Sequence, residues 1–308
     1  MMRRRSYKLS ILGFCVFALG VLQSCNQQAG PQLDTRDSGI AHISVDESFK
    51  PVIDAQIAVF ESSNPKTKIV VHYKAEADCL RDFSVDSIRM VIATRGHSEK
   101  EGAFMSDSLK VYPSKMVIAY DAIAVIVHPG SPDSLFTMAE IKGLLTGKAK
   151  TNLVPVFDGL KATSTVRFIM DSVLRGEPLG PGVVAAKTSE EVIDYVARTP
   201  NAVGFLGVSW IGNHEDSSQL SYLDKVRVAQ LEHPMLKGKF VTPAQYNIYY
   251  GRYPLIRHLV YVLKEKHQGV GHAFSDFLSS ERGQLIFKRA YLMPAQMSFS
   301  IRSANVSE

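Results

Sequence analysis

Cysteine is scarce, with three in 308 residues, which excludes a disulfide scaffold. No apolar run approaches the about 18 residues a bilayer-spanning helix needs, so a multi-span membrane protein is excluded. HExxH is absent, no Cys/His cluster stands at metal-ligand spacing, and the nine histidines are scattered. GxxxxGKS/T and GxGxxG are also missing, so nothing marks a nucleotide site. Gly207 to Gly212 is one residue too long for the GxSxG elbow, and Ser209 reads as a turn after a buried strand. No activated nucleophile is paired with a base. No cofactor or metal site is marked and an enzyme is not expected, although a triad assembled in space leaves no such motif.

Positive charge is concentrated rather than spread. The formal net charge is +5. Arg3, Arg4, Arg5 and Lys8 lie in the first 24 residues, which hold no acid; the remainder has 31 basic against 30 acidic residues. A nucleic-acid protein would carry Lys and Arg over its folded faces, so nucleic acid is not a partner. Hydrophobic residues are 45% and charged residues 21%, ordinary for a globular protein. The length corresponds to about two domains.

The basic start and the apolar run Ile11 to Leu22 end in Leu22-Gln23-Ser24-Cys25. This resembles the bacterial lipoprotein signal. The resemblance implies cleavage after residue 24, lipidation of Cys25 and a domain anchored outside the cytoplasm, in the cell envelope. Residues 25–38 are polar, with Gly and Pro, and read as a flexible tether. With Cys15 in the signal and Cys25 lipidated, Cys79 has no disulfide partner and is expected to be buried.

Strands and helices alternate along the rest. Ala41–Val45, Lys68–Tyr73, Arg89–Ala93, Val117–Val127, Val154–Phe157 and Ala202–Val208 read as strands. Helices are expected from near Phe49, with Pro51 in the first turn, and over Thr137–Leu145, Thr163–Arg175 and Ser189–Ala197, the last capped by Ser189. Leu255–Lys264 fits either element. Phe274–Leu278 and Gly283–Ala290 close the chain with helix. This alternation predicts an α/β architecture with helices on both faces of mostly parallel sheets.

Several segments then appear in a familiar order. Tyr120 to Val127 resembles the xDGIAVVVN strand of the phosphate-binding family. Phe136 to Lys148 resembles its LTxxQLxxIFxGK segment, and Ala202 to Gly207 its AIGYxG strand. Tyr253-Pro254-Leu255-Ile256-Arg257 resembles its YPLxR turn, and Phe277 to Pro294 its FxxSxxGQ…GYxP ending. The chain is similar to the phosphate-binding lipoproteins of Bacteroidetes-type bacteria. The resemblance implies a two-lobed type II periplasmic-binding-protein fold with the ligand in the cleft between the lobes. Two segments cross between them, near Val127–Pro129 and Tyr250–Pro254. Lobe one is then residues 39–128 plus 252–302, and lobe two 129–251. A monomer that takes up inorganic phosphate, or a related oxyanion, and delivers it to an ABC permease is implied. Binding of an organic anion, or a sensory or interaction role on the same fold, is the alternative.

The resemblance also implies three binding turns. In the first, Ser48 matches a hydroxyl donor and Phe49 a backbone N–H donor; Ser48 either binds or caps its helix. In the second, Thr163, Ser164 and Thr165 stand where the family has DGSGTS, ahead of Phe168, and either bind or form a plain cap. In the third, Thr94 donates, and Arg95 either grips two phosphate oxygens or forms an ordinary ion pair. Three departures stand out. Lys74-Ala75-Glu76-Ala77-Asp78 replaces a Gly-Ser-Gly turn. The SGT core is replaced by Ala162-Thr163-Ser164. Phe157 replaces an arginine, leaving Lys161 or Arg167 to supply charge. Asp46, Glu47, Glu76 and Asp78 bring negative charge towards the cleft. One carboxylate there, with Asp46 as the candidate, accepts the proton of a protonated phosphate and repels sulfate.

Overall fold

The computed structural model describes residues 33–159, 163–212 and 217–296. The expected signal peptide, Cys25, most of the tether and Lys161 lie outside the described residues. From Asp34 onward the described chain forms one compact unit. Among the described residues, no helix is long and apolar enough to cross a membrane.

Eight strands carry the framework: β1 (Gly39–Asp46), β2 (Thr67–Lys74), β3 (Ile88–Ala93), β4 (Ser114–Val127), β5 (Val154–Asp158), β6 (Val184–Ala186), β7 (Ala202–Gly207) and β8 (Ile256–Leu263). Their order in the sheet is β2-β1-β3-β8-β4-β7-β5-β6. Arg227–Val228 and Met293–Pro294 add short pairings to β4. β2, β1 and β3 run parallel to one another, as do β7, β5 and β6. β4 and β8 are antiparallel to their neighbours. A small sheet of Leu236–Val241, Gln230–His233 and Leu135–Phe136 lies apart.

β4 joins the two lobes. Its residues Ser114 to Ala122 pair with β8, and Ile123 to Val127 pair with β7. The return crossing lies beside this change of partner. The N–H of Ile123 donates to the carbonyl of Leu255 (2.9 Å), and the buried Tyr253 hydroxyl donates to the carbonyl of Ile123 (2.9 Å). β4 therefore changes its pairing partner at Ala122–Ile123. β4 is apolar on successive residues because both its faces are covered. Ile123, Val125 and Val127 enter one core cluster, while Ala124 and Ile126 enter another.

The helices follow the apolar spacing. Lys50–Ser63 has Pro51 in its first turn and buries Val52, Ile53, Ile57 and Phe60 on one face. Phe60 meets Phe274 edge-on at 5.2 Å. Burying each such side chain contributes about 1.5–3 kcal/mol. One cap is corrected and two stretches are specified. Thr188, rather than Ser189, caps the helix Ser189–Arg198, by accepting from the N–H of Glu191. The Thr163–Arg175 stretch is α-helical over Ser164–Phe168 and then widens to a π-helix over Ile169–Leu174. The ambiguous Leu255–Lys264 stretch is strand β8, because β3 and β4 flank it on both edges.

The helical segment Glu76–Ser84 is pinned from below. Lys264, just past β8, is buried and donates to the carbonyls of Asp82 (2.7 Å), Phe83 (3.1 Å) and Val85 (2.7 Å). Lys264→Met takes the ammonium from all three carbonyls; those of Asp82 and Val85 keep the backbone N–H groups of Val85 and Ile88, while that of Phe83 loses its Lys264 donor. It is expected to lower stability by about 1–3 kcal/mol in urea denaturation.

Candidate functional site

Two turns from opposite lobes meet. β1 ends at Asp46, and the chain makes a 3-10 turn over Glu47–Phe49 before the next helix. Asp46 Oδ1 accepts the Ser48 N–H at 3.1 Å. Asp46 thus caps this turn, and the helix Lys50–Ser63 receives no side-chain cap, so Ser48 is not its cap. The Ser48 hydroxyl lies 3.3 Å from that of Ser164, across the lobes. On the second lobe Thr163 caps its helix by accepting from the N–H of Val166 at 3.3 Å. Ser164 and Thr165 follow, fully buried. The Ser48 carbonyl accepts from Trp210 Nε1 at 2.9 Å, a further link between lobes.

The charge at this junction comes from Arg257 on β8. In the sequence it stood only within the YPLxR turn, with no role assigned. It lies directly opposite Asp121 on β4, and its Nε donates to Asp121 Oδ2 at 2.7 Å. Arg257 Nη1 donates to Ser164 Oγ (2.9 Å) and Thr165 Oγ1 (3.3 Å). Its guanidinium lies 5.0 Å from the centre of the buried Phe49 ring, a cation–π contact. Gly207 leaves room for it, because a Cβ there would come within 3.0 Å of Nη2. The signal for this pair is the one acid in the apolar run Val117–Val127 and an arginine at the start of the apolar stretch Leu255–Lys264. Neither is at ease in a core unless the other lies opposite.

Four buried atoms here lack a hydrogen-bond partner among the described residues: Arg257 Nη2, Asp46 Oδ2, Asp121 Oδ1 and Asp158 Oδ1. Buried polar groups are ordinarily paired, and these four belong to residues whose charges act on one another at this junction. A groove of about 220 Å³ between the lobes is lined by Glu47, Lys50 and Tyr73 on one side and Asp158, Glu190 and Trp210 on the other. Neither this groove nor a larger hollow of about 360 Å³ around Tyr246, Tyr250 and Met293 is lined by Ser48, Ser164 or Thr165, which lie buried beside the groove's Glu47 and Asp158 turns.

The third turn is arranged differently from expectation. Arg95 makes two 2.9 Å bonds to Glu101 and one of 2.9 Å to the carbonyl of Gly96. Glu101 belongs to the capping box of the helix Glu99–Asp107. Arg95 is therefore held in an ion pair within its own lobe, not presented as an anion fork. Thr94 bonds to Glu76, and so does Arg167 from the other lobe.

Burial governs the acids. The Asp46 carboxyl is pushed up to about 6, chiefly by desolvation and then by the charge of Glu76, against the pull of Arg257. Asp158 is pushed up to about 7 by desolvation and the charge of Asp46, while Ser189 donates to its other oxygen. Burial also pushes up Glu76, but hydrogen bonds and charge from Arg167 and Thr94 outweigh it and leave Glu76 below its usual range. Cys79 is buried and its thiol is pushed up to about 12 by desolvation, which makes it inert.

Asp34, Glu265 and His267 bring ligand atoms within 4.8 Å of one another. Their oxygens already accept from the backbone N–H groups of Gly269, Val270, Gly271 and His272, with Arg89 alongside. This cluster fastens a helix start.

A family model described as a PBP superfamily domain matches residues 29–282. The chain belongs to the PBP superfamily. Members similar to it include the phosphate-binding protein PstS of Borreliella burgdorferi, 19% identical over 90% of this chain and 95% of that one. PstS of Pseudomonas aeruginosa is 24% identical over 60% of this chain and 62% of its own length. The fold matches a crystal structure from Clostridium perfringens, described as a phosphate ABC transporter substrate-binding protein with bound phosphate. The TM-score is 0.69, with 22% identity over 83% of this chain and 100% of that one. An ABC-type phosphate transport receptor from Vibrio cholerae matches with a TM-score of 0.62 and 16% identity, over 83% and 100% of the two chains. These likenesses carry the two-lobed fold of the superfamily.

Two outcomes are expected. Arg257→Leu strands a buried Asp121 and should cost about 3–5 kcal/mol in denaturant melts, with Asp121→Leu added in the same chain recovering most of it. Asp46 and Asp158 bind protons more tightly folded than unfolded, where the ordinary value is 3.8. Their contribution to stability therefore falls as pH rises through about 4 to 7. Thermal melts should show a smaller loss over this range in Asp46→Asn than in the unaltered chain.

Proposed function

We propose that this protein captures inorganic phosphate between its lobes and delivers it to an ABC permease. The observation that carries the reading is the convergence of Ser48, Ser164 and Thr165 hydroxyls, from both lobes, around the Arg257 guanidinium. Arg257 Nη2 is buried there without a partner among the described residues. Hydroxyls and one guanidinium bind a phosphate by charge-assisted hydrogen bonds. Arg257 takes the part expected of Arg95; the Phe49 N–H and Thr163 complete the first and second turns, and Thr94 belongs to the third. The names of the relatives at low identity point the same way.

The surrounding acids define the ligand. Asp46, Asp121 and Asp158 each offer an unpartnered buried oxygen. An anion bearing its own protons donates to them, whereas fully ionised sulfate has none to give. Protonated phosphate fits, with Asp46 as the nearest acceptor to the Ser48 turn. The process is capture without chemistry: one lobe binds first, and closure completes the cage. The lobe boundaries are placed where β4 changes partner, at Ala122–Ile123, and at Leu255–Ile256 on return. Residues 1–24 act as a signal, Cys25 carries the lipid, and the tether lets a monomeric domain work at the membrane surface on the extracytoplasmic side.

Calorimetric titration of ligand-stripped full chain tests this. Phosphate should release heat and sulfate should not. Ser164→Ala should weaken phosphate binding by about tenfold or more, the loss of one charge-assisted contact. Absence of heat with phosphate sinks the reading and moves the search to organic anions.

A further inference from the structure

Glu76 lies in the segment that stands in place of a Gly-Ser-Gly turn, and its carboxylate is nearly sealed from solvent, with the residue 1% exposed. Four hydrogen bonds converge on it. Thr94 donates from its N–H (3.0 Å) and hydroxyl (2.5 Å) to Oε1. Arg167 donates from Nε to Oε2 (2.5 Å) and from Nη2 to Oε1 (3.3 Å). A backbone amide, a hydroxyl and a two-pronged guanidinium form the donor set that grips a bound oxyanion. Here a side chain of the protein fills it.

The donors come from opposite lobes. Thr94 follows β3 in the first lobe, and Arg167 lies on the helix that begins with Ser164 and Thr165 in the second. Arg167 Nη2 also reaches Thr94 Oγ1 at 2.6 Å, so the bridge is double. The neighbouring link, Ser48 to Ser164, joins uncharged hydroxyls at 3.3 Å. Arg257 reaches Ser164 and Thr165, and Trp210 reaches the Ser48 carbonyl, but in these links a charge meets at most a neutral partner; the Glu76–Arg167 bridge is an ion pair, and Glu76 is its buried member.

We propose that Glu76 is a resident substitute for the ligand's anionic group: it latches the two lobes together, and an arriving anion must displace it to reach Thr94 and Arg167. This deepens the phosphate reading and rests on it only for the identity of the displacing anion. A tethered carboxylate competes at an effective concentration in about the millimolar range. Glu76 is therefore a specificity-determining residue. It lowers affinity for every anion, and it favours those with enough charge and acceptor oxygens to win the exchange.

The test compares the full, ligand-stripped chain with Glu76→Gln, Glu76→Ser and Arg167→Gln, by small-angle X-ray scattering and by titration of inorganic phosphate. Both Glu76 variants should show a larger radius of gyration than the unaltered chain, and phosphate should bind them about tenfold more tightly. Arg167→Gln should open the lobes too, but without the gain in affinity, since it removes a donor. An unchanged radius in the Glu76 variants overturns the latch. Opening with weaker phosphate binding overturns the substitution, because Glu76 would then merely position Arg167. Opening of all three variants with no phosphate heat in any chain keeps the latch and removes phosphate as the ligand. The Glu76→Ser result decides the matter should Glu76→Gln fail to fold.

Discussion

Arg257 and Asp121 lie opposite each other on neighbouring strands, 2.7 Å apart and almost without solvent. Each charge is tolerable in that core only because the other is there. The pair lies one residue from the point where β4 changes its pairing partner from β8 to β7, so its geometry is shared by both halves of the sheet. From this anchor the guanidinium extends to Ser164 and Thr165 and rests against Phe49. Displacing the pair would disturb both binding turns at once.

The cleft around that anchor holds more acceptors than donors. Asp46, Asp121 and Asp158 surround one guanidinium, while Glu76 occupies another. In the proposed reading such a site would discriminate by proton content as well as charge, because a ligand without protons would meet unpaired carboxylate oxygens. The raised carboxyls of Asp46 and Asp158 belong to the same balance: burial makes their ionisation costly until something donates to them. Rigid strand ends hold these groups, with Asp46 closing β1 and Asp158 closing β5.

Much of the framework was legible from residue spacing. Helix Lys50–Ser63 follows from Pro51 and the apolar stripe at Val52, Ile53, Ile57 and Phe60; β4 follows from its unbroken apolar run. Short elements with weak apolar patterns, such as Glu76–Arg81 and the small sheet at Gln230–His233, were not legible, because contacts made elsewhere hold them. The same division runs through the site. The hydroxyl cluster Thr163–Thr165 stands out as a run of like residues. Arg95 and Arg257 do not differ in kind along the chain, yet Glu101 claims one and Asp121 orients the other.

By itself the sequence determined the alternation of strand and helix, the basic, lipoprotein-like start and the hydroxyl-rich turns, because these depend on neighbours within a few residues. The tertiary structure alone decided which charges meet. Glu76 lies 91 residues from Arg167, and Asp121 lies 136 from Arg257. Hydrogen-bond geometry and desolvation act through space at a few ångströms, so pairing over such separations is settled only when the sheet brings the strand ends together.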